Sequence, residues 1–298
     1  MVGAAPGAPA SLIQVEPVWQ ELLARLEEGR PWRSIFVLGR VDTGKTTFCR
    51  FLGRALAQRY RTAAIDCDPG QSALGPPTTL GLAWEPWEGG RPLALRFVGA
   101  TSPVGHFMPM LTGAKRLAER ALAYGAQKIV FDSSGYMDSD VGREFHFQMI
   151  DLLDPDHLVV LQRSDEIEPL LANFARRFRP HIHRLPVSDA VLARERPARR
   201  AYRQAQFQRY FQTATLHTLG LAGLGLHGMV PPPERAPQCR GRLVALCDRR
   251  GFADVLGIVE ELDRDRGVLR LYAPPFDRWR IASVQFGSIC LERDGRES

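Results

Sequence analysis

The stretch Ser34-Ile35-Phe36-Val37-Leu38-Gly39-Arg40-Val41-Asp42-Thr43-Gly44-Lys45-Thr46-Thr47 decides the fold. SIFVLG is an apolar run rich in β-formers that leads straight into a glycine, the pattern of a buried parallel strand. Residues 39–46 then fit G-x-x-x-x-G-K-[ST] at every fixed position. Glycines let backbone N–H groups curl around phosphate oxygens, and the N-terminus of the following helix adds a favourable dipole. The expected nucleotide-binding set is Gly39, Asp42, Thr43, Gly44, Lys45, Thr46 and Thr47. Lys45 reaches the β- and γ-phosphates in this arrangement, and Thr46 places a hydroxyl on Mg²⁺.

Working outward, four more runs resemble buried strands: TAAID (62–66), LALRFVG (93–99), KIVFDSS (128–134) and HLVVLQ (157–162). Helix-like patterns lie between them, in TTFCRFLGRALAQRY, FMPMLTGAKRLAERALAYG and GREFHFQMIDLL. Strand–helix alternation at this spacing predicts an α/β P-loop NTPase, a parallel sheet wrapped by helices. Before it, residues 17–28 place Val18, Leu22, Leu23 and Leu26 on one helical face, closed by Gly29 as C-cap. The first dozen residues, rich in Ala, Gly and Pro, read as a loose tail. From His217 the period shifts to short strands separated by turn signals. RLVALCD, VLGIVEELD, VLRLYA and SVQFGSICLE predict a small antiparallel β-module entered through Pro231–Pro233. The expected organisation is a tail and helix (1–33), a P-loop domain (34–216) with an arginine-rich helical lid near 189–211, and the C-terminal module (217–298).

Composition narrows the function classes. The chain has 298 residues, 45% of them hydrophobic and 24% charged, so wholesale disorder is excluded. No run of eighteen apolar residues exists, so no membrane span is expected. The N-terminus lacks the charged start and long apolar core of a signal peptide. Cys49, Cys67, Cys239, Cys247 and Cys290 are scattered, with no C-x-x-C pair. That argues against a disulfide framework or zinc knuckle and for a reducing cytoplasm. The net charge of +6 is unevenly spread: between Arg176 and Arg209 ten arginines face only Asp189 and Glu195. This +8 block leaves the rest of the chain near −2. It reads either as a footprint for a polyanion or as a solvated arginine-rich face.

Three acids flank the loop in sequence logic. Asp66 and Asp68 end one predicted strand (AIDCDPGQS) and Asp132 ends another (IVFDSSGY). Carboxylates at the C-terminal ends of parallel strands converge on the ligand crevice. One must hold the Mg²⁺, and another can accept a proton from an attacking hydroxyl. A guanine-reading N-K-x-D element is replaced by Gln162-Arg163-Ser164-Asp165, which favours ATP.

In order along the chain, GRVDTGKTT, IDCDPGQS, FVGATSPVGHFMPML, FDSSGY and RRAYRQAQFQRYF resemble the polynucleotide 5′-hydroxyl kinase family of RNA processing. The resemblance covers about residues 34–215. It implies that Lys45 and Thr46 bind phosphate and Mg²⁺, with Asp66 and Asp132 as further metal-side acids. It also implies that Asp66, Asp68 and Gln71 form a D-x-D-x-G-Q element handling the metal, the 5′-hydroxyl and the substrate end. Asp68 is then the first choice for general base and Asp66 the second. Ser133-Ser134-Gly135-Tyr136 matches a T-x-G-W clasp, with Tyr136 either stacking on the terminal nucleotide or packed in the core. Arg199 and Arg203 match an R-x-x-x-R lid, for which Arg196 and Arg200 offer the same spacing. Thr101, Ser102 and His106 fall near the substrate, His106 alternatively capping a helix or packed in the core, and Arg200 is a further substrate contact.

The expected activity is transfer of the ATP γ-phosphate to the 5′-hydroxyl of RNA or DNA, with ATP and Mg²⁺ as cofactors and 5′-hydroxyl-ended nucleic acid as partner. Two alternatives stay open: a catalytically silent ATP-binding scaffold in an RNA-processing complex, and another P-loop ATPase or ligase. Trp19 and Trp32 read as core residues or as the remnant of an adenine-stacking surface.

Overall fold

The computed structural model describes residues 15–87, 89 and 91–298. The predicted N-terminal tail lies outside them. In chain order the elements are α1 (Pro17–Glu28), β1 (Ser34–Gly39), α2 (Lys45–Ala57), β2 (Thr62–Cys67), β3 (Thr79–Trp84), β4 (Ala94–Phe97), α3 (Phe107–Ala123), β5 (Lys128–Ser133), α4 (Asp140–Leu153), β6 (His157–Gln162), α5 (Glu168–Leu171), β7 (His181–Pro186) and α6 (Arg196–Tyr210). Strands β8 (Thr215–Gly220), β9 (Gly225–Gly228), β10 (Arg242–Asp248), β11 (Ala253–Asp263), β12 (Val268–Ala273) and β13 (Ile281–Cys290) follow. The chain divides into two compact units. One holds the chain up to Cys67 with residues 82–93 and 118–193; the other holds residues 68–81, 94–117 and 194–298.

The first unit is built on parallel strands in the order β2-β5-β1-β6-β7. Ala63 pairs with Ile129, Phe36 with Phe131, Val37 with Val159, and Val159 with His183. β1 is therefore central, and its buried run Ile35–Leu38 is the sheet's spine. Trp19, Leu22 and Leu26 of α1 pack into the same cluster as Ile35, Val37, Phe48 and Leu52, with Val18 and Leu23 at its margin. Trp19 meets Phe48 edge-on at 5.3 Å, and Trp32 Nε1 donates to Leu26 O at 2.9 Å. Both tryptophans are core residues, not a stacking surface. Gly29 does occupy the C-cap of α1, but with extended φ and ψ of −75° and −174° instead of a left-handed turn.

In the seven-stranded sheet two strands escape the sequence reading. β7 reads His-Ile-His-Arg-Leu-Pro and sits at the sheet edge, where only Leu185 is buried and no apolar run is needed. β3, Thr-Leu-Gly-Leu-Ala-Trp, hides behind its glycine and the prolines before it. The lid helix begins at Arg196, not near 189. Pro197 fills its first turn, where a missing N–H costs nothing, and the seven residues before it stay irregular.

The second unit holds a six-stranded sheet ordered β8-β12-β11-β10-β13-β9. It is antiparallel except at one edge, where β9 runs parallel to β13, contrary to a wholly antiparallel expectation. β8 and β9 both precede Pro231, so the sheet starts before the proline triplet. Successive side chains point to opposite faces. Val244 and Leu246 thus join one cluster with Val259, Leu271 and Phe286. Leu243, Ala245 and Cys247 join another, filled by Phe207 and Phe211 at the end of α6.

Candidate functional site

In the first unit, β1 delivers the chain at Gly39 and α2 resumes at Lys45, with the phosphate loop between. Gly39 tolerates no side chain: a Cβ there would come within 2.5 Å of Thr43 Oγ1 and 2.8 Å of Leu161 O. Gly44 takes φ +83° and Asp42 φ +55°, the left-handed conformations that turn N–H groups inward. Thr43 Oγ1 donates to Arg40 O at 3.0 Å. Lys45 is 8% exposed, and its Nζ donates to Arg40 O at 2.7 Å. Arg163 Nη2 braces the loop from outside through Asp42 O at 2.7 Å.

The metal-side residues meet at the carboxyl edge of the sheet. Thr46 Oγ1 donates to Asp132 Oδ2 at 2.6 Å. Asp66 and Asp132 are register partners on β2 and β5, and both are buried. Burial pushes the Cys49 thiol well up, and Asp132, Lys45 and Asp66 are among the charges it feels, so these groups gather around one corner of α2. Among the described residues no group of three or more His, Cys, Asp or Glu is arranged to hold a metal. Magnesium does not need one: it keeps several waters and takes one or two carboxylates plus substrate phosphates. A hydroxyl and two carboxylates are hard oxygen donors that fit Mg²⁺ on those terms.

The Ser133–Tyr136 segment lies against the loop. A Cβ on Gly135 would reach 2.7 Å from both Val41 N and Val41 Cγ2. Tyr136 is half-buried, and its hydroxyl shares a 3.1 Å hydrogen bond with Ser139 Oγ, the N-cap of α4. From α4, the fully buried His146 touches Gly142 O (2.9 Å) and Ser134 O (3.1 Å) through its two ring nitrogens. Burial drives its pKa down to about 4.

The residues expected on the acceptor side, Tyr136 excepted, fall in the second unit, and three segments of it meet. Asp68 Oδ1 accepts from Gly70 N and Gln71 N, both at 2.9 Å, closing the turn that begins the unit. A Cβ on Gly70 would reach 2.5 Å from Thr101 O, so this turn abuts the Thr101–His106 segment. Ser102 Oγ accepts from Val104 N at 3.2 Å. His106 Nδ1 pairs with Val104 O at 2.9 Å, and His106 O receives Met110 N as α3 begins, so its main chain caps that helix. From α6, Tyr202 donates its hydroxyl to Ser72 O at 2.9 Å. The predicted lid arginines divide. Arg203 is bidentate on the Glu297 carboxylate, and Arg200 Nη2 donates to Glu297 O at 3.1 Å. Arg199 is half-buried and bonds through its main chain to Glu195 O at 3.1 Å.

Residues 39–213 match the family model for the mRNA cleavage and polyadenylation factor CLP1 P-loop. The chain belongs to this family. It is 26% identical over 321 aligned positions to a polyribonucleotide 5′-hydroxyl-kinase of Pyrococcus horikoshii, covering 89% of this chain and 87% of that one. It is 28% identical over 336 aligned positions to the enzyme of the same name from Methanocaldococcus jannaschii, covering 93% and 92%. Among solved structures, Clp1p in the wild-type Clp1p–Pcf11p complex shares the fold with a TM-score of 0.67, at 15% identity over 92% of this chain and 79% of that one. Among the described residues no helix of this CLP1-family chain is long and apolar enough to cross a membrane.

Three residues of the site carry little sequence signal. Tyr202 lies within RRAYRQAQ, one aromatic among helix-surface residues, and only the fold sets it against Ser72. Arg163 replaces a base-reading position and instead braces the phosphate loop. Glu297 is separated from Arg203 by the whole C-terminal sheet, so nothing local announces the pair.

Proposed function

We propose that this chain is an ATP-dependent polynucleotide 5′-hydroxyl kinase that moves the γ-phosphate of ATP onto the 5′-hydroxyl of RNA, and by the same chemistry of DNA. Membership of the CLP1 P-loop family and likeness to polyribonucleotide kinases over most of their length support it. The observation that carries it is the Tyr202–Ser72 bond. It fixes an arginine-bearing helix on the D-x-D-P-G-Q turn, an arrangement that ATP hydrolysis alone does not require.

Lys45 and the N–H groups of the loop hold the triphosphate. Thr46, Asp132 and Asp66 would hold Mg²⁺, which would supply positive charge to offset the charge of the transferring phosphate. The 5′-oxygen bonds to the γ-phosphorus as the bond to the β–γ bridging oxygen breaks and ADP leaves. The hydroxyl proton passes to Asp68, whose carboxylate is oriented by Gly70 N and Gln71 N. A single residue separates Asp68 from the metal-side Asp66 in the chain. Gln71, Thr101, Ser102, His106 and Tyr136 orient the acceptor end. We assign the transferring phosphate to the R-x-x-x-R lid of α6, Arg199 with Arg203 or Arg196 with Arg200 in the other register; Glu297 engages Arg203 and Arg200 in this structure. The five free cysteines agree with a reducing cytoplasm.

The test is incubation with γ-labelled ATP and a 5′-hydroxyl oligoribonucleotide. Label on the oligonucleotide is expected. A protein that binds ATP and leaves the oligonucleotide unlabelled is not this kinase.

A further inference from the structure

One end of the second unit's sheet gathers arginines and an exposed tryptophan that have no role in the site described above. The turn between β10 and β11 is built by Asp248, whose Oδ1 accepts from Arg250 N at 2.8 Å and Phe252 N at 2.9 Å. Gly251, at φ +76°, closes it through Asp248 O at 2.9 Å. Arg249 and Arg250 are thereby held exposed at the tip. Beneath them Arg96 donates to Gly251 O and Arg116 Nη2 to Arg250 O at 3.0 Å. Both guanidiniums lie over the Phe252 ring, at 5.7 and 5.8 Å.

The register adds a second segment at the same end. Asp248 pairs with Ile281, which places the single 3₁₀ turn Arg278–Arg280 beside the β10–β11 turn. Arg280 Nη2 meets Asp254 Oδ1 at 3.2 Å. Asp277 Oδ1 fixes the turn through Trp279 N at 3.0 Å, and the Arg278 guanidinium carbon lies 5.4 Å from the centre of the indole. Trp279 is 80% exposed, whereas Trp19 and Trp32 are core residues. Arg96, Arg116, Arg249, Arg250, Arg278 and Arg280 outnumber Asp248, Asp254 and Asp277, and each aspartate already serves a turn or an arginine.

We propose that this end of the sheet binds single-stranded nucleic acid, with a base stacked on Trp279 and the arginines on backbone phosphates. An exposed indole on a turn fixed by Asp277, with the Arg278 guanidinium 5.4 Å from its centre and further arginines at the same end of the sheet, matches the two needs of such a ligand: a stacking platform and a positive track. The excess of positive charge selects a polyanion over an apolar peptide. The inference deepens the kinase reading by giving the acceptor strand a second hold, remote in sequence from the lid.

The test uses the full chain, 5′-hydroxyl oligoribonucleotides of two and about 15 nucleotides, and three variants at exposed positions. Trp279→Ala is expected to weaken binding of the longer oligonucleotide roughly tenfold more than that of the shorter, and Trp279→Phe to restore most of the loss. Arg249→Ala with Arg250→Ala should lower the salt slope of binding by about two. Wild-type affinity and salt slope in all three variants would overturn the inference and leave the indole to a protein partner. If wild-type protein transfers phosphate but Trp279 does not affect length dependence, this inference fails and the kinase reading stands. If it transfers none yet binds the strand through Trp279, the reverse holds.

Discussion

Tyr202 of α6 donates its hydroxyl to the main-chain oxygen of Ser72 and receives Gln206 Nε2, each at 2.9 Å. The bond joins the arginine-bearing helix to the turn that carries Asp68 and Gln71. Such a hydrogen bond is worth about 0.5–1.5 kcal/mol net. Tyr202→Phe keeps the ring and deletes the tether, so kcat/KM for the oligonucleotide should fall by roughly 2–10-fold. The residues proposed to bind ATP lie in the other unit, and the Kd for ATP should stay unchanged. Steady-state kinetics beside nucleotide binding separates the two; an equal loss in both would mean that Tyr202 serves the fold at large.

Asp132 receives the Thr46 hydroxyl and faces Asp66 in register. Asp132→Asn preserves shape and can still accept from Thr46, but it removes a charge from the proposed Mg²⁺ position. The Mg²⁺ concentration for half-maximal transfer should rise by an order of magnitude or more. Nucleotide binding without Mg²⁺ should persist, since Lys45 and the loop N–H groups are untouched. A Mg²⁺ titration that superimposes on the wild type would remove Asp132 from the metal site.

Much of this arrangement was legible in the sequence, and the omissions share a cause. The phosphate loop, the central strand and the three aspartates announce themselves because phosphate chemistry demands fixed residue types at fixed spacing. Strands β1, β2, β5 and β6 show as apolar runs because they are buried on both faces. The edge strand β7 gives no such signal, since it needs little apolar surface. Helix α6 starts later than the sequence pattern suggests because arginine-rich sequence suits both helix and coil, and Pro197 is the true boundary marker. Non-local polar contacts such as Arg203–Glu297 follow from the fold alone.

That last pair gives a prediction about charge. Arg203 and Glu297 are each about four-fifths buried and bidentate, so the arginine's charge is largely spent inside the protein. Glu297→Gln weakens this hold and returns a positive charge to α6. Oligonucleotide binding should strengthen at low salt, and its salt slope should steepen by about one. Measuring affinity across a range of ionic strength checks this. An unchanged slope would show that Arg203 stays out of reach of the strand even when released.

His146 supplies the pH dependence. It is fully buried against Gly142 O and Ser134 O, and burial holds its pKa at about 4, below the ordinary 6.5. As pH falls below 6.5 the unfolded chain takes up a proton at this residue while the native chain does not, until about pH 4. Stability is therefore fully present above pH 6.5 and is lost at about 1.4 kcal/mol per pH unit down to the folded value. Because Ser134 O belongs to the segment that presses Gly135 on Val41, the phosphate loop's support weakens along with the fold. His157, also depressed to about 4, adds a loss of the same sign, so the informative quantity is a difference. Between pH 7 and pH 5 the wild type should lose about 2 kcal/mol more than His146→Gln, which has no proton to gain there. Denaturant unfolding of both proteins at the two pH values measures it. Parallel losses in both would show that His146 is not the group that titrates.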